Sequence, residues 1–314
     1  MERYDVLICG PIFTDLIFTD VSRMPSPGEE VFSQGFDIAC GGSAYITAVS
    51  LARLGIKAGV LAPLGDDIFG GFAKEQLHRE GLTTSLIYPA GESFRQVSAA
   101  VNCAGDRAFI TYQDPLENNG YIAHVLEVLD RVETEMLIVN ARPEFASVIR
   151  KAHDKGMTLV LDLGWDDEWI YSEELKELLR MGDWFTPNLP EALAISGKDQ
   201  PEEALQMLSG LVTTPIIKLG KDGAMYKADD GIRYVPGAPI DNPVDTTGAG
   251  DNFLGGLLAG ILKGWSLTDA IRLGNYCGAQ SVQGIGGNAN SPAWEQVESE
   301  FQLNNHHKTL GRKQ

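Results

Sequence analysis

A run of small residues between two aspartates occupies residues 245–251, directly before an apolar stretch at residues 254–262 that has helical character. Small residues at the start of a helix leave backbone amides unpaired and unshielded, and such amides bind anions. The candidate anion-binding residues are Gly248, Ala249 and Gly250. Asp251 falls in the first helical turn, where a carboxylate is electrostatically favoured. A carboxylate beside a bound phosphate can accept the proton of an attacking hydroxyl, so Asp251 is the predicted general base of a phosphotransferase.

Asp251 also has a simpler interpretation. An aspartate at this point can cap a helix, and the small residues before it can serve only a tight turn and close packing. The length of the run, with Asp245 and two threonines ahead of the small residues, favours the chemical interpretation.

Asn188 and Glu191 form a second candidate pair. At a spacing of three residues both side chains point the same way in a helical turn. Their amide and carboxylate oxygens could hold Mg²⁺ through waters, since that ion rarely loses its hydration shell. The alternative is a helix cap in which each residue bonds the other's backbone, and both functions can coexist.

Composition excludes several classes of function. The chain has 314 residues, 44% of them apolar, which is enough for one large core or two smaller ones. It carries 43 acidic against 25 basic residues, and a net charge of -18 argues against a nucleic-acid partner. The four cysteines form no Cys-x-x-Cys pair, which gives no support to metal or redox chemistry.

The sequence shows neither a membrane segment nor a signal peptide, which predicts a globular, cytoplasmic protein. It contains no Gly-x-x-x-x-Gly-Lys-Ser/Thr string and no Gly-x-Gly-x-x-Gly after the first apolar run, so P-loop kinases and dinucleotide dehydrogenases are not favoured. No histidine pair has metal-binding spacing.

Short runs rich in Val, Ile and Leu alternate with segments of helical periodicity. The predicted strands are residues 6–9, 58–62, 136–139, 158–161 and 216–219. The predicted helices are residues 44–54, 69–78, 145–152 and 175–179. This alternation predicts an α/β sheet covered on both faces, with its sites at the carboxyl ends of the strands.

Two extended segments interrupt that alternation, near residues 14–38 and 86–113, and the second contains a predicted hairpin turn at Gly105-Asp106. They predict a small separate sheet that forms a lid over the site. Residues 227–243 are predicted as another hairpin with a loop leading to Asp245. The chain is thus expected to form one domain over residues 1–303 with a flexible tail at 304–314.

The sequence resembles the ribokinase-like carbohydrate kinases, or PfkB family, over nearly its whole length. The motifs that carry this resemblance are Gly10 with Asp15, Gly41-Gly42 with residues 52–55, residues 65–70, Asn188 with Glu191, Lys218 to Gly220 with Asp222-Gly223, residues 245–251, and Asn275 with Gly278, Ala279, Ser281 and Val282. Residues 245–251 are the most specific of them.

This resemblance implies a three-layer α/β/α ribokinase-like fold with a mostly parallel central sheet and a β-sheet lid. It implies transfer of the γ-phosphate of ATP to an alcohol of a sugar or sugar-like molecule, with Mg²⁺ as cofactor, in an enzyme that often forms a homodimer through paired lids. By the same resemblance the acceptor site contains Asp15, Gly41 and Gly42, and the ATP site contains Lys218, Gly220, Gly223 and Asn275.

Family members often bind potassium or sodium beside the anion-binding turn. Asp245 and Thr247 are the candidate ligands here. An equally simple interpretation is a turn stabilised by hydrogen bonds from these Asx and Thr side chains.

The chain departs from the family at two acceptor positions. Where kinases of common sugars usually have asparagines, it has Phe13 and Ile46. A sugar hydroxyl facing an apolar side chain would lose about 1–3 kcal/mol, which favours a modified sugar or a nucleoside as acceptor. Alternatively both side chains point into the core, and Ser43 or Arg107 recognises the acceptor. The segment after Leu161 also lacks the Asp-x-Asn-x-Arg pattern associated with keto-deoxy-gluconate kinases, so an acidic sugar is less favoured.

A protein of this type could also bind a sugar or nucleoside as a non-catalytic regulator. Retention of Asp251 with its full glycine run favours an active kinase, because a pure binder has no use for a base at this position.

Overall fold

The computed structural model describes residues 2–92, 94–103, 106–116, 118–164, 166–240 and 243–302. The predicted turn residue Gly105, the residue Trp165 and the predicted tail at 304–314 lie outside these ranges.

Strands and helices alternate along most of the described chain. The strands are β1 (Glu2–Cys9), β2 (Phe13–Val21), β3 (Gly35–Gly41), β4 (Ala58–Leu61), β5 (Pro63–Leu64), β6 (Tyr88–Pro89), β7 (Gln96–Cys103), β8 (Asp106–Gln113), β9 (Val132–Asn140), β10 (Thr158–Asp162), β11 (Trp184–Phe185), β12 (Thr214–Lys218), β13 (Ala224–Ala228) and β14 (Gly231–Val235). The α-helices are α1 (Ser43–Arg53), α2 (Ile68–Arg79), α3 (Asn118–Arg131), α4 (Ala146–Asp154), α5 (Glu173–Leu179), α6 (Leu189–Ser196), α7 (Pro201–Leu208), α8 (Ala249–Leu262), α9 (Leu267–Ser281) and α10 (Trp294–Glu300).

The central sheet has eight strands in the order β14-β13-β12-β11-β10-β9-β1-β4. The six strands from β4 to β12 in this order are parallel, and β13 and β14 extend the sheet as an antiparallel hairpin. This confirms the predicted α/β class with a mostly parallel sheet. The hairpin predicted at residues 227–243 begins earlier, at Ala224, and belongs to the edge of this sheet.

Both faces of the central sheet are covered by helices. Val6 and Ile8 of β1 point into one hydrophobic core, which contains side chains of α1, α8 and α9. Leu7 and Cys9 point into the other, which contains side chains of α3 to α7. Burial on both faces explains why these strands read as continuous apolar runs, and it produces the three layers. No helix of the described chain combines the length and apolarity needed to cross a bilayer.

A second sheet has four strands in the order β3-β2-β7-β8. The strand β2 is antiparallel to β3 and parallel to β7, and β7 and β8 form a hairpin. It is the small sheet expected from the two extended segments, and we call it the lid sheet. The strand β6 pairs with β5 instead, so the lid sheet takes only β7 and β8 from the second segment.

Candidate active site

The anion-binding turn lies at the start of α8. Gly248 occupies the N-cap position in the left-handed conformation, with a φ of 71°. Because glycine has no side chain, it cannot accept a capping hydrogen bond from the helix amides. The amides of Gly250 and Asp251 donate no hydrogen bond to any described residue. Unpaired amides at a helix start form a site for an anion. The helix begins at Ala249, earlier than the apolar stretch at 254–262, so Asp251 lies in its first turn as predicted.

Asp251 is partly buried, and its environment raises the pKa of its carboxyl group. Burial is the largest of the effects that together raise the pKa of Asp251 to about 7. The nearby carboxylates of Asp162 and Glu191 also raise it, whereas Lys218 lowers it. A carboxylate with a pKa near neutrality suits proton transfer at physiological pH.

These neighbours come from the ends of adjacent parallel strands. Asp162 is the last residue of β10, Lys218 is the last residue of β12, and Asn188 follows β11, which lies between them. Burial raises the pKa of Asp162, while Lys218 and the amide of Leu163 oppose that shift. Sequence reasoning did not select Asp162 as a site residue. Its position at the carboxyl end of a predicted buried strand was the signal that could have found it.

Asn188 and Glu191 form the capping-box alternative in full. Asn188 Oδ1 accepts a hydrogen bond from the Glu191 amide at 2.9 Å, and Glu191 Oε2 accepts one from the Asn188 amide at 2.8 Å. Glu191 is 8% exposed, and burial raises its pKa above the usual range. The bond from the Asn188 amide engages Oε2, and Oε1 is the oxygen that the prediction assigns to a hydrated Mg²⁺.

Metal binding by protein side chains alone finds no support within the described ranges. They contain no group of three or more His, Cys, Asp or Glu side chains arranged to hold an ion. The role of Asn188 and Glu191 toward magnesium remains a prediction.

Asp245 organises the turn ahead of α8. Its Oδ1 accepts hydrogen bonds from the amide of Thr247 at 2.9 Å and from the Thr247 hydroxyl at 2.6 Å, and its Oδ2 accepts one from the Gly286 amide at 3.0 Å. These bonds match the Asx and Thr turn interpretation. Potassium or sodium binding by Asp245 and Thr247 remains a prediction.

An open pocket of about 400 Å³ adjoins the start of α8. It brings together the residues assigned to ATP by resemblance, which are Lys218, Gly220, Gly223 and Asn275. Ala249 and Gly250 line the same pocket. The remaining walls are largely apolar and include Ala238, Ile240, Phe253, Ala279 and Val282. Such walls suit a planar aromatic ring.

Asn275 shapes this pocket from behind. Its Nδ2 donates to the carbonyls of Val235 and Pro236, at 3.2 and 3.0 Å. Since Val235 ends β14 and Pro236 follows it, Asn275 holds the chain that leads to the pocket wall.

Asp15 is buried on the lid strand β2. A Cβ on Gly41 would lie 2.1 Å from Asp15 Oδ2, so only glycine leaves room for this carboxylate. Gly42 has a φ of 88° and precedes α1. Burial and the nearby carboxylate of Asp245 together raise the pKa of Asp15 to about 6, so Asp15 lies within electrostatic range of the turn before α8.

Phe13 and Ile46 differ in their surroundings. Ile46 is 2% exposed, and its Cδ1 would lie 3.0 Å from a Cβ on Gly248 and 2.4 Å from one on Gly287. Ile46 therefore matches the alternative in which its side chain points into the core, where it packs against the turn before α8. Phe13 is partly buried and pairs with Gly41 across the lid sheet. Contact of either residue with an acceptor remains a prediction, and the side chain of Arg107 lies outside the described part of the chain.

A buried polar network, which sequence reasoning did not identify, supports the turn. Asn252 Nδ2 donates to the carbonyls of Gly248 at 2.8 Å and Gly287 at 2.7 Å. Asn288 Nδ2 donates to the Ile46 carbonyl at 3.0 Å. The sequence signal for Asn252 was an asparagine at the start of a largely apolar helix, because a polar side chain buried there needs hydrogen-bond partners.

Comparison with known proteins places these features in context. A family model described as pfkB family carbohydrate kinase matches residues 4–294. The 2-dehydro-3-deoxygluconokinase of Bacillus subtilis (strain 168) is 29% identical over 292 residues, which cover 85% of this chain and 87% of the relative. The ribokinase of the same organism is 26% identical over 299 residues, covering 94% and 98%. The structure of Burkholderia thailandensis nucleoside kinase in complex with inosine superposes with a TM-score of 0.77 at 23% identity, covering 95% of this chain and 98% of that one.

Proposed function

This chain belongs to the pfkB family of carbohydrate kinases, and from that premise we propose that it transfers the γ-phosphate of ATP to a hydroxyl of a neutral sugar or nucleoside, with Asp251 as the general base. As a member of a family of sugar and nucleoside kinases it is a phosphotransferase with an alcohol acceptor. The observation that carries the finer proposal is the position of Asp251, whose pKa is about 7, beside the unpaired amides at the start of α8.

The transfer step follows from this arrangement. The acceptor hydroxyl gives its proton to a carboxylate oxygen of Asp251 as its oxygen attacks the γ-phosphorus. A new oxygen–phosphorus bond forms, the bond from the γ-phosphorus to the bridging oxygen breaks, and ADP leaves with that electron pair. The amides of Gly250 and Asp251 stabilise the negative charge on the oxygens of the transferring group.

Asn188, which lines the nucleotide pocket, and Glu191 are the residues proposed to hold magnesium through waters. When bound, the ion neutralises phosphate charge during transfer. Potassium or sodium beside Asp245 is a further proposal, and no step of the transfer requires it.

The charge around the acceptor side favours an uncharged acceptor. Asp15, Asp162 and Asp251 all contribute carboxylates there. The guanidinium of Arg142 is engaged at 2.7 Å by Asp166, which stands where the Asp-x-Asn-x-Arg pattern has its arginine. One relative acts by name on an acidic sugar. In this chain the corresponding segment offers a carboxylate instead of a cation, so we favour a neutral sugar or nucleoside, with Phe13 available for stacking.

The test is ADP formation from ATP and magnesium across a panel of neutral sugars, acidic sugars and nucleosides. With the best acceptor, Asp251→Asn is expected to lower turnover by at least about 10²-fold, because the acceptor loses its base. Asp269→Asn is the matched control, since Asp269 occupies the same position of the first turn in α9. It should retain normal turnover. Turnover close to normal in folded Asp251→Asn would exclude the assigned base, and acceptor binding without any ADP formation would favour a non-catalytic binder.

A further inference from the structure

The side chain of Lys218 lies over the start of α8. Lys218 ends β12, and it lines the nucleotide pocket together with Ala249 and Gly250. A Cβ on Gly250 would lie 2.9 Å from Lys218 Nζ. The ammonium group therefore lies beside the unpaired amides at which the phosphates are proposed to bind.

This ammonium group has no partner within the described chain. Lys218 Nζ forms no hydrogen bond with any described residue. No carboxylate oxygen of the described residues lies within 4.0 Å of it as an ion-pair partner. By contrast, other lysines pair with carboxylates at distances of 2.5 to 3.1 Å, namely Lys74, Lys151, Lys155 and Lys176. Lys218 is also partly buried, and a partly buried cation normally finds an anion.

Three carboxylates lie within electrostatic range of Lys218 without reaching it, those of Asp162, Glu191 and Asp251. They attract the ammonium group to the carboxyl edge of the sheet. Without Lys218 these acids would repel a phosphate group from the same edge. The ammonium group of Lys218 is attracted by these carboxylates but forms an ion pair with none of them, so it is available to a bound anion.

We propose that Lys218 is a catalytic residue whose ammonium group donates a hydrogen bond to a non-bridging oxygen of the phosphoryl group during its transfer. The proposal rests on the proposed kinase function. Lys218 keeps its proton throughout, so the bonds formed and broken are those of the transfer step. Its charge offsets the negative charge that spreads over the phosphoryl oxygens in the transition state.

This placement also explains Gly250. Its φ is not in the positive range that requires glycine, so the helix backbone would accept alanine there. The atom that a Cβ would meet is the ammonium nitrogen of Lys218, which is the end of a flexible side chain. Gly250→Ala should therefore displace Lys218 and leave the fold intact.

The experiment measures kcat and the KM for ATP in wild type, Lys218→Met and Lys218→Arg, with the best acceptor and with thermal unfolding recorded for each variant. Lys218→Met is expected to lower kcat by roughly 10²-fold, the usual loss for one transition-state donor, and Lys218→Arg should recover part of it. Lys227→Met on the neighbouring strand β13 removes the same charge from an exposed position and should keep wild-type values. A normal kcat in Lys218→Met, or a raised KM for ATP with normal kcat, would overturn the proposal.

Gly250→Ala completes the design, and it also serves if Lys218→Met fails to fold. It should lower kcat in the wild-type background and have little further effect in Lys218→Met. An equal loss in both backgrounds, or no loss in wild type, would contradict the proposal. Wild-type protein that forms no ADP with any acceptor would instead refute the proposed function, so the two failures are distinguishable.

Discussion

At the scale of single residues, Asp251 combines two effects of one environment. Burial and the neighbouring carboxylate of Asp162 raise its pKa to about 7, which makes it a better proton acceptor. The same environment makes the charged form costly in the folded protein. Because the folded-state pKa lies above its ordinary value, the stability associated with protonated Asp251 is present at low pH and is lost as the pH rises through 7.

The pH dependence of turnover should show this pKa. Asp251 must be deprotonated to act as a base, so kcat at saturating acceptor is expected to fall about tenfold per pH unit below the pKa of about 7. Asp15, with a pKa of about 6, should affect mainly the KM for the acceptor. Steady-state rates between pH 5 and pH 9, with unfolding monitored at each end, are the measurement; a kcat that stays level down to pH 5 would contradict the assignment.

At the scale of elements, α6 begins with a capping box that also faces the nucleotide pocket. Its two side chains bond each other's backbone amides, and Asn188 lines the pocket. The structural and metal-binding interpretations thus share the same residues. Glutamine can replace glutamate in a capping box, which allows the two functions to be separated experimentally.

Glu191→Gln should keep the helix cap and raise the magnesium concentration needed for half-maximal activity, because a carboxylate becomes a neutral amide. Glu191→Ala should also lose the cap and about 0.5–2 kcal/mol of unfolding free energy. Magnesium titrations and urea unfolding measure the two effects. Gln296→Ala is the control, since Gln296 Oε1 accepts a comparable hydrogen bond from the Ala293 amide at the start of α10. Identical magnesium titrations for wild type and Glu191→Gln would contradict the magnesium-binding interpretation and leave helix capping as the function of Glu191.

At the scale of the whole molecule, the lid sheet exposes an apolar face. Ile38, Leu16, Ala99 and Ile110 lie opposite one another across its four strands and therefore on one face. Ile38 is 43% exposed and Ile110 is 71% exposed. Phe36 and Tyr112 extend the same face, and they are 56% and 49% exposed. An exposed apolar sheet face of this kind is typical of a protein interface.

We expect two lid sheets to pair through this face in a homodimer. Ile110→Lys should shift the protein toward monomer, because a lysine would be buried without a partner in the interface. Sedimentation velocity at micromolar concentration is the measurement. Ile232→Lys, at an exposed isoleucine on β14 of the central sheet, is the matched control and should leave the association unchanged. A monomeric wild-type protein would refute this prediction.

The sequence alone determined the fold class, the family and the position of a glycine-rich turn at the start of a helix. These depend on short-range patterns: continuous apolar runs predict buried parallel strands, and residues 245–251 place small residues and Asp251 at a helix start. Capping and turn hydrogen bonds join residues within one helical turn, so the alternatives for Asn188 with Glu191 and for Asp245 with Thr247 were also visible in the sequence.

Only the tertiary structure decided which distant charges surround Asp251. Asp162, Glu191 and Lys218 converge because the order of strands places the ends of β10, β11 and β12 side by side. The tertiary structure also buries Ile46 behind Gly248, and it places the Gly287 carbonyl where the side-chain amide of Asn252 donates a hydrogen bond to it. The physical reason is range: local conformation depends on neighbours in sequence, whereas a pKa and a packing contact depend on atoms that are close in space, which the path of the chain alone brings together.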